Sequence, residues 1–232
     1  MTIGEAVAAT APLWVSIEGI NGVGKTTAAR AVTANLGARC VLLDELTDSS
    51  GAALHGRVMA ALTDNGDPFL RTGHPVVETL ALFALQLGKA ERLAGRDLTG
   101  VNVIIEDRGV DSVAVYQAAI LCAQHADSAA DVVAKLVLSG FRRWRRISDA
   151  TILLTGDPEE CSRRFTDRIG RSLTTEDLHL LAQIDTLYRM AAADDPDRYI
   201  LLDVAGMSQA QTADAVGEIV ANLMDRQAAN AS

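Results

Sequence analysis

Gly19-Ile20-Asn21-Gly22-Val23-Gly24-Lys25-Thr26 satisfies the spacing G-x-x-x-x-G-K-[ST], and its flanks decide the fold. Ahead of it, Trp14-Val15-Ser16-Ile17 is an apolar, β-rich run, and a helical pattern starts at Lys25. Glycines at these positions let successive backbone N–H groups curl toward one anion, and the helix start adds partial positive charge. In that setting Gly19, Asn21, Gly22, Val23, Gly24, Lys25, Thr26 and Thr27 form the expected cradle for the phosphates of ATP. Lys25 is expected to bridge the β- and γ-phosphates, and the Thr26 hydroxyl to ligate Mg²⁺. A glycine-rich turn that holds nothing is the bland alternative; the strand–loop–helix setting argues against it.

Outward from the loop, short Val-, Ile- and Leu-rich runs predict buried parallel strands at Leu13–Glu18, Cys40–Asp44, Val101–Ile105, Thr151–Thr155 and Tyr199–Asp203. Helical patterns lie between and after them, at Lys25–Leu36, about Val76–Leu93, Asp111–Gln124, Asp131–Leu138, Pro158–Arg168, Glu176–Ala192 and Ser208–Arg226. The alternation implies βαβ units, an α/β class and a parallel sheet covered on both faces. Residues 13–232 read as one P-loop kinase domain after a 12-residue extension, with 51–73 as a helical stretch followed by a loop. Ligands of such sheets bind beyond the carboxyl ends of the strands, where this chain carries Glu18, Asp44-Glu45, Glu106-Asp107 and Asp203.

The 232 residues carry a net charge of −9, which speaks against a general nucleic-acid binder. The segment Met1–Pro12 has neither a charged start nor a continuous apolar run, and Pro75–Gly88 is interrupted by Glu78 and Gln86. A cytoplasmic protein without a membrane span is therefore expected. Cys40, Cys122 and Cys161 are far apart and read as reduced thiols. His55, His74, His125 and His179 show no metal spacing and read as structural or surface residues.

Positive charge is local. Asp107-Arg108 follows the third strand: the carboxylate is placed for the metal shell or the acceptor, and the arginine for neutralising a phosphate, with a surface ion pair as the alternative. Arg163, Arg164, Arg168 and Arg171 cluster at a helix end and suit a lid over about residues 163–175 that closes on the transferred phosphate. Arg142-Arg143-Trp144-Arg145-Arg146 reads as a solvated helix end.

These residues together resemble the thymidylate kinase family of P-loop nucleoside monophosphate kinases. Ile17-Glu18-Gly19 through Thr27 is similar to the family's phosphate loop; Asp107-Arg108-x-x-Asp111-Ser112-x-x-x-Tyr116-Gln117 is similar to its D-R-Y-x-x-S-x-x-A-Y-Q signature; and Asp157-Pro158-Glu159-Glu160 is similar to its D-P-E-x motif. The resemblance implies a five-stranded sheet of order 2-3-1-4-5, ATP with Mg²⁺ held at Thr26 and Asp107, a small-molecule nucleotide or nucleoside acceptor and a homodimer. It places Asp107, Arg108, Ser112, Gln117 and Phe83 around the acceptor, and Lys25 with Arg108, Arg163, Arg168 and Arg171 around the moving phosphoryl group. Tyr116 is expected to pack.

Three departures stand out. Asp44-Glu45-Leu46-Thr47-Asp48 replaces the family's Arg-Glu-Pro-Gly-Gly; Phe83-Ala84-Leu85-Gln86-Leu87 replaces Phe-Ala-x-Asp-Arg; and Gly109 replaces the tyrosine of D-R-Y. Two acceptor-phosphate arginines are thereby lost. Altered acceptor specificity is one expectation. The alternative is a nucleoside or other hydroxyl-acceptor kinase with Glu45 or Asp44 as general base. A nucleotide switch, raised by Asp203-Val204-Ala205-Gly206, lacks an N-K-x-D motif anywhere in the chain.

Overall fold

A computed structural model describes residues 11–46, 53–124 and 129–230. Most of the N-terminal extension, Thr47, Asp48 and His125 lie outside the described residues. The strands are β1 (Leu13–Glu18), β2 (Cys40–Leu43), β3 (Val103–Asp107), β4 (Ala150–Thr155) and β5 (Tyr199–Asp203), and all pair in parallel in the order β2-β3-β1-β4-β5. The helices are α1 (Lys25–Leu36), α2 (Leu54–Thr63), α3 (Pro75–Ala94), α4 (Val110–Gln124), α5 (Ala130–Trp144), α6 (Pro158–Ile169), α7 (Thr175–Asp194) and α8 (Gln209–Asn230).

β1 sits at the centre of the sheet with all six residues buried, so its continuous apolar run belongs to a strand covered on both faces. Its register with β3 sets Ile17 beside Asp107 and Ser16 beside Glu106, which brings the end of the phosphate-loop strand level with the Asp107-Arg108 pair. That register also shifts the third strand two residues later than the sequence pattern implies, because Asp107 completes the ladder with Ile17. One cluster of buried side chains, including Val15, Ile17, Ile105, Ile152, Leu154, Phe165 and Tyr188, joins the sheet to its helices. A second, around Leu46, Met59, Leu82, Leu85 and Phe141, ties α2, α3 and α5 together.

Local signals explain several helix ends. Asp157 caps α6 by accepting from the Glu160 backbone N–H, with Pro158 at the first helical position, and Gly170 closes the helix in the left-handed region at φ 68°. Thr174 and Asp177 form a capping box at the start of α7. Helix α5 runs six residues beyond the expected Leu138, since Phe141 is completely buried and anchors the extra turns.

The extension of α5 corrects the reading of its basic end. Arg142 and Arg143 are exposed, but Arg145 is buried, 2.9 Å from Glu106 Oε2, with its guanidinium 4.8 Å over the Trp14 ring. It also donates to the side-chain oxygen of Gln86 at 2.9 Å. Lys89 reaches the same Glu106 at 3.3 Å. Removing one partner of such a buried pair strands the other charge and costs about 3–5 kcal/mol.

Cys40, Cys122 and Cys161 are free thiols. Among the described residues no helix is long and apolar enough to cross a membrane, and no group of three or more His, Cys, Asp or Glu side chains is placed to hold a metal.

Candidate active site

The loop between β1 and α1 leaves little room for any side chain at its glycines. Gly19 has φ 137°, and a Cβ there would stand 2.4 Å from the Leu154 carbonyl oxygen. Gly22 has φ 82°, and a Cβ would stand 2.0 Å from the Cys161 carbonyl oxygen on α6. Lys25 is buried and donates to the Ile20 carbonyl at 2.7 Å. Burial first, and the Arg108 charge second, pull its ammonium pKa down to about 7.

A cleft of about 470 Å³ opens over this loop. Its floor is Gly22, Val23, Gly24, Lys25, Thr26 and Thr27; Glu45 and Arg108 form one wall, and Arg163, Arg164 and Arg168 of α6 form the other. Gln209 and Thr212 of α8 complete it. A second cavity of about 90 Å³ shares Glu45 and Arg108 with the first. It is lined by Asn21, Leu46, Phe69, Leu70, Leu82, Gln86, Ser112, Tyr116 and Gln117 among others.

Arg108 stands at the junction with a backbone φ of +56°, a conformation that costs a residue with a side chain about 1–2 kcal/mol. The surroundings hold it there. Its Nε lies 2.9 Å from Glu45 Oε1, its guanidinium contacts Asn21 Oδ1 and lies 5.0 Å over the Tyr116 ring, and the Gln86 amide reaches its carbonyl at 3.4 Å and that of Gly109 at 3.2 Å. Burial pushes the Glu45 carboxyl up, but Arg108, Lys25, Arg168 and Lys89 together hold it below the usual carboxylate range. Gly109 follows from crowding: a Cβ there would lie 2.9 Å from Ser16 Oγ and 3.1 Å from Glu106 Oε2.

Asp107 is buried beside Thr26, and its Oδ1 has no hydrogen-bond partner. Burial raises its pKa, opposed by a hydrogen bond with Thr26 and by the Lys25 charge. An orphaned carboxylate oxygen next to a hydroxyl at the rim of a phosphate cradle suits Mg²⁺, which takes one or two protein ligands and completes its shell with phosphate and water.

Not every expected residue reaches the site. Phe83 stacks on Phe141 of α5, with ring centroids 4.1 Å apart and planes 14° apart, and does not line the second cavity. Leu82 and Gln86, four residues apart on α3, take that face instead. Arg171 lies outside the cleft, 3.5 Å from Asp177. Ser112 touches the cavity but spends its hydroxyl on Glu18 at 2.6 Å, and the Gln117 amide oxygen accepts from Thr79 at 2.9 Å. Asn21 lines the second cavity rather than the cleft, and Gly19 lines neither. Tyr116 does more than pack, since its hydroxyl donates to Asn21 at 3.1 Å. Asp44 is exposed and lines a separate cavity with Lys89, Arg92 and Arg96. Phe69, Leu70 and Gln86 escaped the sequence reading; for Gln86 the signal is the three-to-four-residue periodicity of Thr79, Leu82 and Gln86 along α3.

The family model for thymidylate kinase matches residues 17–214. The probable thymidylate kinase of Halorubrum lacusprofundi is 29% identical over 213 residues, covering 90% of this chain and 98% of that protein. The thymidylate kinase of Cereibacter sphaeroides is 28% identical over 211 residues, covering 83% and 87%. Among solved structures, the thymidylate kinase of Candida albicans superposes with a TM-score of 0.64 at 20% identity, covering 91% of this chain and 92% of that one. That of Ehrlichia chaffeensis gives 0.64 at 17%, covering 90% and 98%. Sheet order, phosphate loop and a family match spanning most of the chain agree, and the chain belongs to the thymidylate kinase family.

Proposed function

We propose that the protein transfers the γ-phosphoryl group of ATP to a nucleoside monophosphate, with an acceptor preference that differs from that of an ordinary thymidylate kinase. The observation that carries this reading is the shared wall: the phosphate cleft and the acceptor cavity meet at Glu45 and Arg108, with Lys25 lining the cleft beside them. Two phosphates entering from opposite sides would meet there, as in-line transfer requires.

The chain's own residues have separable tasks. The loop N–H groups and Lys25 hold the donor phosphates, Arg108 meets the acceptor phosphate, and Arg168 covers the group in transit. Thr26 and Asp107 would hold Mg²⁺, which supplies charge neutralisation between the β- and γ-phosphates when bound. The apolar lining of Phe69, Leu82 and Tyr116 would exclude water.

The hydroxyl-acceptor alternative is weaker. Glu45 is engaged with Arg108 and held below the usual carboxylate range, the opposite of a poised base, and Asp44 does not line the cleft. Exposed Val76, Val77 and Leu80 on α3 support a homodimer, and a cytoplasmic site fits the nucleotide substrates. ATP consumption by purified protein against a panel of nucleoside monophosphates and nucleosides tests the proposal. Turnover with nucleosides alone would overturn it.

A further inference from the structure

Four side chains from two segments stack in one row. The Arg71 guanidinium lies 5.1 Å from the centroid of the Phe69 ring; Phe69 meets Phe165 edge-on at 5.6 Å and 75°; and the Arg168 guanidinium lies 5.2 Å over Phe165. Phe69 and Arg71 belong to the loop ahead of α3, Phe165 and Arg168 to α6.

The loop end of the row is anchored. Arg71 pairs with Asp67 at 2.8 Å and with Asp177 at 2.5 Å, and Asp177 is itself fixed by the capping box of α7. Asp67 also accepts from the backbone N–H groups of Phe69 and Arg71, so the Phe69 ring is presented by a braced turn. The other end is open. Arg163 is held by Glu160 and Asp167, and Arg164 by Glu160, whereas Arg168 makes no ion pair among the described residues. Among the cleft arginines of α6, it alone has an aromatic face instead of a carboxylate to orient it.

The row links two chambers. Phe69 lines the acceptor cavity, Arg168 lines the phosphate cleft, and Phe165, 1% exposed, lines neither. We infer that Phe165 is a positioning residue: through it the wall of the acceptor cavity sets where Arg168 stands over the cleft. An acceptor pressing on Phe69 thereby brings the arginine to the phosphoryl group in transit. This rests on the kinase reading above.

The test is epistasis, measured as steady-state phosphoryl transfer from ATP to whichever monophosphate the wild-type protein accepts. Phe165→Met removes the ring and leaves a flexible apolar side chain that fills most of its space. It is expected to lower kcat about tenfold while leaving the KM for ATP within about twofold. In the Arg168→Ala background the same change is expected to cost nothing further, because its route to the chemistry is already cut. Equal losses in both backgrounds, or wild-type kcat in the single variant, would overturn the inference. If Phe165→Met fails to fold, Arg168→Lys gives the same answer: it keeps the charge without the planar stack, is expected to fall near the Arg168→Ala rate, and overturns the inference if it turns over like wild type. Failure of the kinase reading looks different, since the wild-type protein would then phosphorylate no monophosphate.

Discussion

Arg108 Nε lies 2.9 Å from Glu45 Oε1, joining the residue after β3 to the loop after β2 at the junction of the two cavities. The pair decides between two roles for Glu45. As the partner that orients Arg108, Glu45→Gln should change kcat by less than about tenfold, since the amide keeps one acceptor for the guanidinium. A loss above about 1000-fold, confined to a hydroxyl acceptor, would mark Glu45 as a general base. Side-by-side kinetics with a monophosphate and its nucleoside separate the outcomes.

Lys25→Ala should abolish transfer while preserving the fold. Among the described residues the lysine donates to the Ile20 carbonyl of its own loop, and in the proposed reaction its ammonium would balance the charge of the β- and γ-phosphates. A fall in kcat of more than about 100-fold is expected, with an unchanged far-ultraviolet spectrum.

The acceptor site should bind thymidine monophosphate weakly. Asp44 and Leu87 stand where the family motif carries arginines, and the arginine that remains, Arg108, is already paired with Glu45. Two charge-assisted contacts, each worth about 1.5–3 kcal/mol, correspond to at least about 100-fold in affinity. A micromolar KM with fast turnover on this monophosphate would show that other residues rebuild the site.

The lid arginines should not be equivalent. Arg168→Ala is expected to lower kcat by about 100-fold or more, whereas Arg171→Ala should stay within about threefold, because Arg171 faces Asp177 outside the cleft. Comparable losses for both would mean that Arg171 moves in when substrates bind.

Glu18 makes a pH prediction. Its carboxylate is fully buried and accepts from Ser16 Oγ at 2.6 Å, Gly109 N–H at 2.7 Å, Ser112 Oγ at 2.6 Å and the Tyr188 hydroxyl at 3.0 Å. Burial first, and Asp111 second, nonetheless raise its pKa above 4.5. A raised folded pKa means that the folded state holds its proton longer, so this contribution to stability is intact below pH 4.5 and lost as pH rises through the folded value. Denaturant midpoints of the wild type and Glu18→Gln, followed from about pH 5 to about pH 8, should show that fall in the wild type alone. The variant should also be less stable, by about 2–4 kcal/mol, because an amide NH₂ would face donors.

The phosphate loop, the five strands and the chain's place in the thymidylate kinase family were legible because each rests on consecutive residues. The chemistry of Gly19 to Thr26 is backbone geometry plus a neighbouring lysine, and a buried strand betrays itself by an unbroken apolar run. The Asp157 cap and the Thr174–Asp177 box, which the structure revealed, also rest on residues close together in the chain.

Helix faces and distant partners are another matter. On α3 one residue is a rotation of about 100°, so Phe83 and Leu82 are indistinguishable by composition, yet one stacks on Phe141 and the other lines the acceptor cavity. Arg145 sits in a run of basic residues that looks solvated, and only the tertiary fold, through the extended residue that follows α5, carries it to Glu106 of β3, 39 positions away. Arg171 shares the lid cluster with Arg168, but the turn at Gly170 sends it to Asp177. The sequence by itself determined that this chain builds a phosphate-binding α/β kinase fold, because local spacing and strand hydrophobicity suffice for that. Which arginines line the cleft over the loop, and which are consumed by buried carboxylates, was decided only by tertiary structure, because charge pairing depends on distances of a few ångströms between residues far apart in the chain.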